Sequence, residues 1–152
     1  MTGVDSVEKQ DFLRSIGFDQ VIDYTQEDFT TAGQSYDVIL DAKTNRSPFA
    51  YARVLKPDGT YVSVGGAMPR LLQCLVCGPW IARSRRRQIR ILALKPNTGL
   101  GDMTELAEAG HLVPSIDPIY TLDAVPHAIN RFKDARHLGK IVARIGEPRP
   151  TH

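Results

Sequence analysis

The chain has little of what marks the specialised protein classes. Two cysteines in 152 residues cannot make a disulfide framework, and no N-terminal run of basic, apolar and small residues resembles a secretory signal. Both absences lead to the expectation of a reducing, cytoplasmic compartment. The longest apolar stretch, at residues 71–81, is about eleven residues long where a bilayer requires about twenty. An excess of one charge is missing too: 19 Lys and Arg face 17 Asp and Glu, a net charge of +2, which gives no argument for a nucleic-acid or membrane partner. There is no internal repeat, low-complexity tract or clear linker. With 42% hydrophobic and 24% charged residues, the composition is that of a globular domain and not of a disordered chain, a collagen or a coiled coil. One domain is therefore expected over residues 1–145, followed by a loose tail at 146–152 that carries two prolines.

What is present is an alternation. Short apolar, β-branched runs recur at residues 2–4, 20–23, 36–41, 60–64, 88–94, 118–120 and 140–145. Most are continuous in apolar character, which suits strands covered on both faces. Between them, Ser6 is placed to cap a helix through Ile16, and Gly17 stands where a left-handed residue ends it. Ser47-Pro48 offers a cap with proline at the first helical position. The helix it starts runs to Leu55, and Lys56-Pro57-Asp58-Gly59 reads as a turn. Further helices are expected over 101–109 and 123–135. Strand, helix and strand in this order predict βαβ units and a mostly parallel sheet.

The order of motifs resembles the cofactor domain of the medium-chain dehydrogenase/reductases, in their quinone-oxidoreductase-like, zinc-binding dehydrogenase-type branch. The likeness is carried by Thr2-Gly3-Val4-Asp5-Ser6, by Gly17-Phe18-Asp19-Gln20-Val21-Ile22-Asp23-Tyr24 and by Tyr36-Asp37-Val38-Ile39-Leu40-Asp41-Ala42. It continues through Lys56-Pro57-Asp58-Gly59-Thr60-Tyr61-Val62-Ser63-Val64-Gly65-Gly66 and His137-Leu138-Gly139-Lys140. The resemblance implies an α/β, Rossmann-like doubly wound sheet that begins at the family's second strand. The first strand, the glycine-rich turn that holds a cofactor pyrophosphate at a helix N-terminus, and the N-terminal catalytic domain are not in this sequence. Losing the first strand removes the shared neighbour of the second and fourth.

The resemblance also implies a nicotinamide cofactor. Asp5, at the end of the first strand, is the kind of residue that accepts hydrogen bonds from ribose hydroxyls and favours NAD. Ser6, Lys9 and Tyr24 stand where relatives hold the 2′-phosphate of NADP, and Arg136 and Lys140 lie in a segment that adds basic contacts there. Ala42, Val64, Gly65 and Gly66 occupy strand ends that face the nicotinamide and its ribose. Lys43 is a bulky residue where the family is small. NADP is the cofactor expected, with NAD as the alternative.

Other motifs have plainer readings. Gly99-Leu100-Gly101 lacks the third small residue of a dinucleotide fingerprint, since Thr104 stands there, and it reads as a loop and helix start. Cys74 and Cys77 have metal spacing without a second pair, and buried helical cysteines are expected. The arginines between 83 and 90 suit a solvated helix C-terminus. His111, His127, His137 and His152 show no ligand spacing, and no zinc site is expected. Two functions follow. One is the C-terminal part of an NAD(P)H-dependent oxidoreductase that moves hydride to a carbonyl, quinone or activated alkene, a small-molecule substrate, with a homodimer among its partners. The other is an inert truncated module that serves in dimerisation or protein interaction.

Overall fold

The computed structural model describes residues 1–93, 95 and 98–146, so the tail expected at 146–152 lies outside them except for Gly146. The chain clusters into two compact units, Met1–Pro96 and Asn97–His152.

In the first unit, β1 (Thr2–Asp5) leads through a 3-10 turn at Val7–Lys9 into α1 (Gln10–Ser15) and then β2 (Gln20–Asp23). The expected helix over 6–16 is thus shorter and starts as a 3-10 turn. Ser6 makes no side-chain cap; its N–H instead donates to the Asp5 carboxylate at 2.8 Å. Gly17, at φ 98°, turns the chain as expected. Gly3 is required for a different reason: a Cβ there would lie 2.8 Å from the Phe18 ring, so the bare backbone of β1 is what lets Phe18 pack across it. β1 and β2 pair in parallel, with Gly3 opposite Val21 and Asp5 opposite Asp23.

β3 (Tyr36–Asp41), α2 (Pro48–Val54), β4 (Leu55–Ser63), α3 (Met68–Arg85) and β5 (Gln88–Ile91) build a three-stranded parallel sheet in the order β3-β4-β5. The Ser47 hydroxyl accepts from the Ala50 N–H, the cap that the sequence signals. The turn expected at 56–59 is absorbed into β4 as an irregularity: the register shifts there, Asp58 takes φ 64°, and Gly59 is buried against the backbone carbonyls of Lys56, Asp37 and Tyr36.

Alternation along the strands decides what is buried. Tyr61 and Ser63 of β4 point to the face that α2 and α3 cover, where Tyr51, Val54, Leu55 and Cys74 join Ile22 and Phe29 in one core. The Tyr51 and Tyr61 rings stack at 4.2 Å. The opposite face of β3 is uncovered: Val38 is 64% and Leu40 72% exposed. Two edges are open as well. Among the described residues β1 pairs only with β2, and β3 only with β4. The break falls between the strands that the resemblance expects to share a missing neighbour.

The second unit holds α4 (Leu100–Glu108), β6 (Tyr120–Thr121), α5 (Val125–Lys133) and β7 (Ala143–Arg144). Gly99, at φ 75°, opens α4 as a loop-to-helix start. The strands expected at 118–120 and 140–145 shrink to two residues each, paired in parallel and extended by a bridge between Ile116 and Lys140. Their anchor is polar. Arg131 donates to both oxygens of the buried Asp117, at 2.6 and 3.1 Å, and the Leu138 N–H donates to the same carboxylate.

Candidate functional site

Parallel strands direct their carboxyl ends, and the loops that follow them, to one side of a sheet, and ligands of open α/β sheets bind there. Two clusters of polar groups occupy such ends in the first unit.

The first surrounds the end of β1. Asp5, Ser6 and Lys9 meet because the 3-10 turn folds directly back on the strand: Lys9 Nζ lies 3.7 Å from Asp5 Oδ2, and the other Asp5 oxygen accepts from the Ser6 N–H. Tyr24 is brought in by β2, its N–H donating to the Asp5 carbonyl at 3.3 Å while its side chain stays half exposed. Asp5, Ser6, Lys9 and Tyr24 therefore form one group around a single strand end. The ammonium beside Asp5 offsets the carboxylate's charge. Arg136 and Lys140 belong to the second unit. Both are exposed, the Arg136 N–H donates to the Arg131 carbonyl, and the Lys140 backbone ties to Ser115 and Asp117.

The second cluster lies where β3 and β4 end side by side. Asp41 closes β3, and its Oδ1 accepts the N–H groups of Lys43 and Thr44 at 2.9 and 3.0 Å, which winds residues 41–44 into a tight loop. Its Oδ2 accepts from the Tyr61 hydroxyl at 3.1 Å. Burial opposes the charge on Asp41, but the hydrogen bonds from Tyr51, the two N–H groups and Tyr61 outweigh it and hold the carboxyl below its ordinary range. Thr44 is fully buried at φ 44°, a left-handed conformation rare for a β-branched residue. Its hydroxyl lies 2.6 Å from the Ser63 hydroxyl and 3.2 Å from that of Tyr61, and donates to the Gly65 carbonyl at 2.5 Å. Ser63 also reaches that carbonyl, at 3.2 Å.

This network fixes the loop that carries Val64, Gly65 and Gly66. The Val64 N–H donates to the Asp41 carbonyl at 2.8 Å. Gly66 sits at φ 140°, and a Cβ there would run into the Lys43 carbonyl and lie 2.7 Å from Thr44 Cβ, so only glycine closes this approach. Gly65 is different: a Cβ would meet only the Ala42 carbonyl, at 3.5 Å, which leaves space above it. Ala42 and Lys43 are exposed at the rim. Burial pushes the Tyr51 phenol up to about 12 and that of Tyr61 higher still, so both stay protonated across the physiological range and act as hydrogen-bond donors.

Ala42, Val64, Gly65 and Gly66, expected from the sequence to face the nicotinamide, lie at this rim, and sequence reasoning missed the support beneath them. A signal was available: Tyr61 and Ser63 share a face of β4 with the core, and polar atoms there require partners. Asp41 and Thr44, three apart at a strand end, are those partners.

Buried helical cysteines are expected at both positions of α3, and one of the two is only partly buried. Cys74 is buried and Cys77 partly buried on α3, and both thiols are free. Burial raises the Cys74 thiol above its ordinary value. Arg83, Arg85 and Arg86 are exposed at the end of α3. Among the described residues no three His, Cys, Asp or Glu side chains come together as a metal site. No helix among them is long and apolar enough to cross a membrane.

Parallel strands joined by crossover helices define the class: an α/β sheet domain of the Rossmann-like kind. The family model for zinc-binding dehydrogenases matches residues 16–142, and the chain belongs to that family within the medium-chain dehydrogenase/reductases. It is 26% identical to the medium chain reductase pydE of Acremonium sp over 95% of its length, and 27% identical to the 2-methylene-furan-3-one reductase of Solanum lycopersicum over 90%. It spans 44% and 31% of those two proteins. The quinone oxidoreductase of Coxiella burnetii (22% identity, TM-score 0.70) and a thermostable alcohol dehydrogenase of Pyrobaculum aerophilum (20%, TM-score 0.70) share the fold over 95% and 93% of this chain, and over 44% and 42% of their own.

Proposed function

We propose that the chain is the cofactor-binding, C-terminal part of an NAD(P)H-dependent reductase, with NADP as the preferred cofactor. The observation that carries the reading is the placement of two separate polar clusters at the carboxyl ends of parallel strands, as a dinucleotide with two distinct ends requires. Asp5, Ser6, Lys9 and Tyr24 take the adenosine ribose and its 2′-phosphate. A phosphate bearing nearly two charges is best held by an ammonium and neighbouring hydroxyls. Ala42, Val64, Gly65 and Gly66 take the nicotinamide end, where the open space above Gly65 admits a flat ring. When bound, the cofactor supplies the hydride. The chain's own residues bind and orient: Asp41, Thr44, Ser63 and Tyr61 hold the rim rigid and donate no proton to a substrate, because all four are committed to one another.

An N-terminal part, in the same polypeptide or in another, completes the reading. It supplies the strand between β1 and β3, the pyrophosphate turn and most of the substrate pocket. The relatives named as medium chain, trans-enoyl and 2-methylene-furan-3-one reductases favour an activated alkene over a carbonyl or quinone. Two free thiols accord with a reducing, cytoplasmic setting. The test is selectivity. Lys9→Ala is expected to weaken NADPH about tenfold or more while leaving NADH within about twofold, the loss of one charge-assisted contact. Equal effects on both cofactors overturn the assignment of Lys9 to the 2′-phosphate.

A further inference from the structure

In the first unit an open cavity of about 680 Å³ runs between α3 and β5. Its helix wall is Leu75, Gly78, Pro79 and Ala82, together with the buried Cys74, and its other wall is the whole of β5. The space persists because α3 carries so little there. Gly78 and Ala82, one turn apart, present a hydrogen and a methyl group where a helix packed on a sheet normally carries larger side chains. Packing does not require that glycine: a Cβ on Gly78 would meet Ile89 at 3.5 Å, an ordinary contact. A glycine inside a helix lowers stability relative to alanine, so its effect here is to leave room. The volume lies within the range of small-molecule sites.

The charged lining is basic. Asp58, Arg86, Arg87 and Arg90 contribute to it, and Asp58 takes up Arg86 through two hydrogen bonds at 3.1 and 3.3 Å. Arg87 and Arg90 meet no carboxylate among the described residues. Arg87 Nε donates to the Leu55 carbonyl at 2.7 Å and Arg90 Nη2 donates to the Gln88 side chain, which orients both guanidinium groups and leaves their other N–H groups for a ligand. The helix end does not account for this pair: α3 stops at Arg85 with Arg86 as its C-cap, whereas Arg87 follows the cap and Arg90 lies in β5. We propose that the cavity binds a small amphipathic carboxylate, its head held by Arg87 and Arg90 and its apolar body lying along Leu75, Pro79, Ala82 and Ile89. A carboxylate matches the fork of a guanidinium with two parallel hydrogen bonds. One negative charge suits the site better than two, because Asp58 and the carboxyl end of α3, worth about half a negative charge, already offset part of the three guanidinium charges. None of these residues belongs to the two strand-end clusters, so the site stands apart from the cofactor reading.

Titration calorimetry of sodium octanoate into the full chain tests this, with octanol and octyl phosphate as matched comparison ligands. The expected result is one saturable site for octanoate with a Kd below about 1 mM, and weaker binding of both comparison ligands. Arg87→Gln and Arg90→Gln are each expected to weaken octanoate about tenfold, the loss of one charge-assisted contact. Ala82→Leu, which fills the cavity and leaves every charge in place, weakens it by at least as much. Arg83→Gln, exposed on α3 and outside the cavity lining, leaves it within about twofold. Should loss of the Leu55 contact in Arg87→Gln disturb folding by far-UV circular dichroism, Arg90→Gln and Ala82→Leu, both at exposed positions, carry the test. No saturable binding up to about 5 mM octanoate overturns the proposal, and so does an affinity indifferent to Arg90→Gln and Ala82→Leu. Octanol bound as tightly as octanoate would reduce the site to apolar adsorption, and octyl phosphate bound more tightly would assign it to phosphate; either result equally overturns it.

Discussion

Replacing Thr44 by valine isolates the buried hydroxyl beneath the strand-end loop. Both residues are β-branched, so the cost of holding a left-handed backbone at φ 44° is common to the two and cancels. Volume is nearly conserved as well. What differs is one hydroxyl, fully buried, in contact with the Ser63 hydroxyl, the Tyr61 hydroxyl and the Gly65 carbonyl. Two of these groups keep other partners: Tyr61 still donates to Asp41, and Ser63 turns to the Gly65 carbonyl. The loss is therefore one well-made hydrogen bond and a partly satisfied hydroxyl, about 1–2 kcal/mol and short of the full penalty for an orphaned group. In thermal melts followed by circular dichroism that is a fall of roughly 2–8 °C in Tm. Ser63→Ala completes a double-mutant cycle, for which a coupling of about 1 kcal/mol is expected. A Thr44→Val chain that melts within about 1 °C of the parent, or a cycle additive to within about 0.3 kcal/mol, would refute the network as the support of the loop.

Acid should act on the same loop. Asp41 has a folded-state pKa below its ordinary value, so its contribution is full at neutral pH and is lost as pH falls through the acid range below about 4. Asp41→Asn is expected to be less stable than the parent at pH 7 and to lose less on going from pH 6 to 3. Parallel pH profiles for the two chains would contradict the assignment. Gly66→Ala places a Cβ against the Lys43 backbone and is expected to destabilise by about 1–3 kcal/mol, with amide shifts at residues 42–44 in NMR spectra; Gly65→Ala, which meets only a 3.5 Å contact, costs well under half as much. Equal costs at the two glycines would remove the close approach from the account.

Much of the fold is legible in the sequence because its cues are local. Ser47-Pro48, Gly17 and Gly99 act within a few residues, and the structure uses each where the pattern puts it. Continuous apolar runs mark β3 and β4 for the same reason. The second unit was less readable. Its strands are two residues long and its anchor, Asp117 with Arg131, joins positions 14 apart through side chains that look like ordinary surface charges. Lys56-Pro57-Asp58-Gly59 has the composition of a turn, yet tertiary pairing pulls it into β4 as an irregular strand segment. At the candidate site, the rim residues could be proposed from family order, whereas Thr44, Ser63 and Tyr61 could not. Their importance depends on two strand ends lying side by side, a relation between residues 17 to 21 apart in sequence.

The account rests on this chain carrying both ends of a nicotinamide dinucleotide site without the turn that holds the pyrophosphate. Titration of NADPH into the isotope-labelled chain, followed by amide NMR up to about 10 mM, tests that claim directly. The prediction is weak, saturable binding in the millimolar range, with shifts gathered at Asp5, Ser6, Lys9 and Tyr24 and at Ala42, Val64, Gly65 and Gly66. Shifts elsewhere, or none at the highest concentration, would contradict the site. Micromolar affinity would contradict the inference that the phosphate-binding turn lies outside the chain.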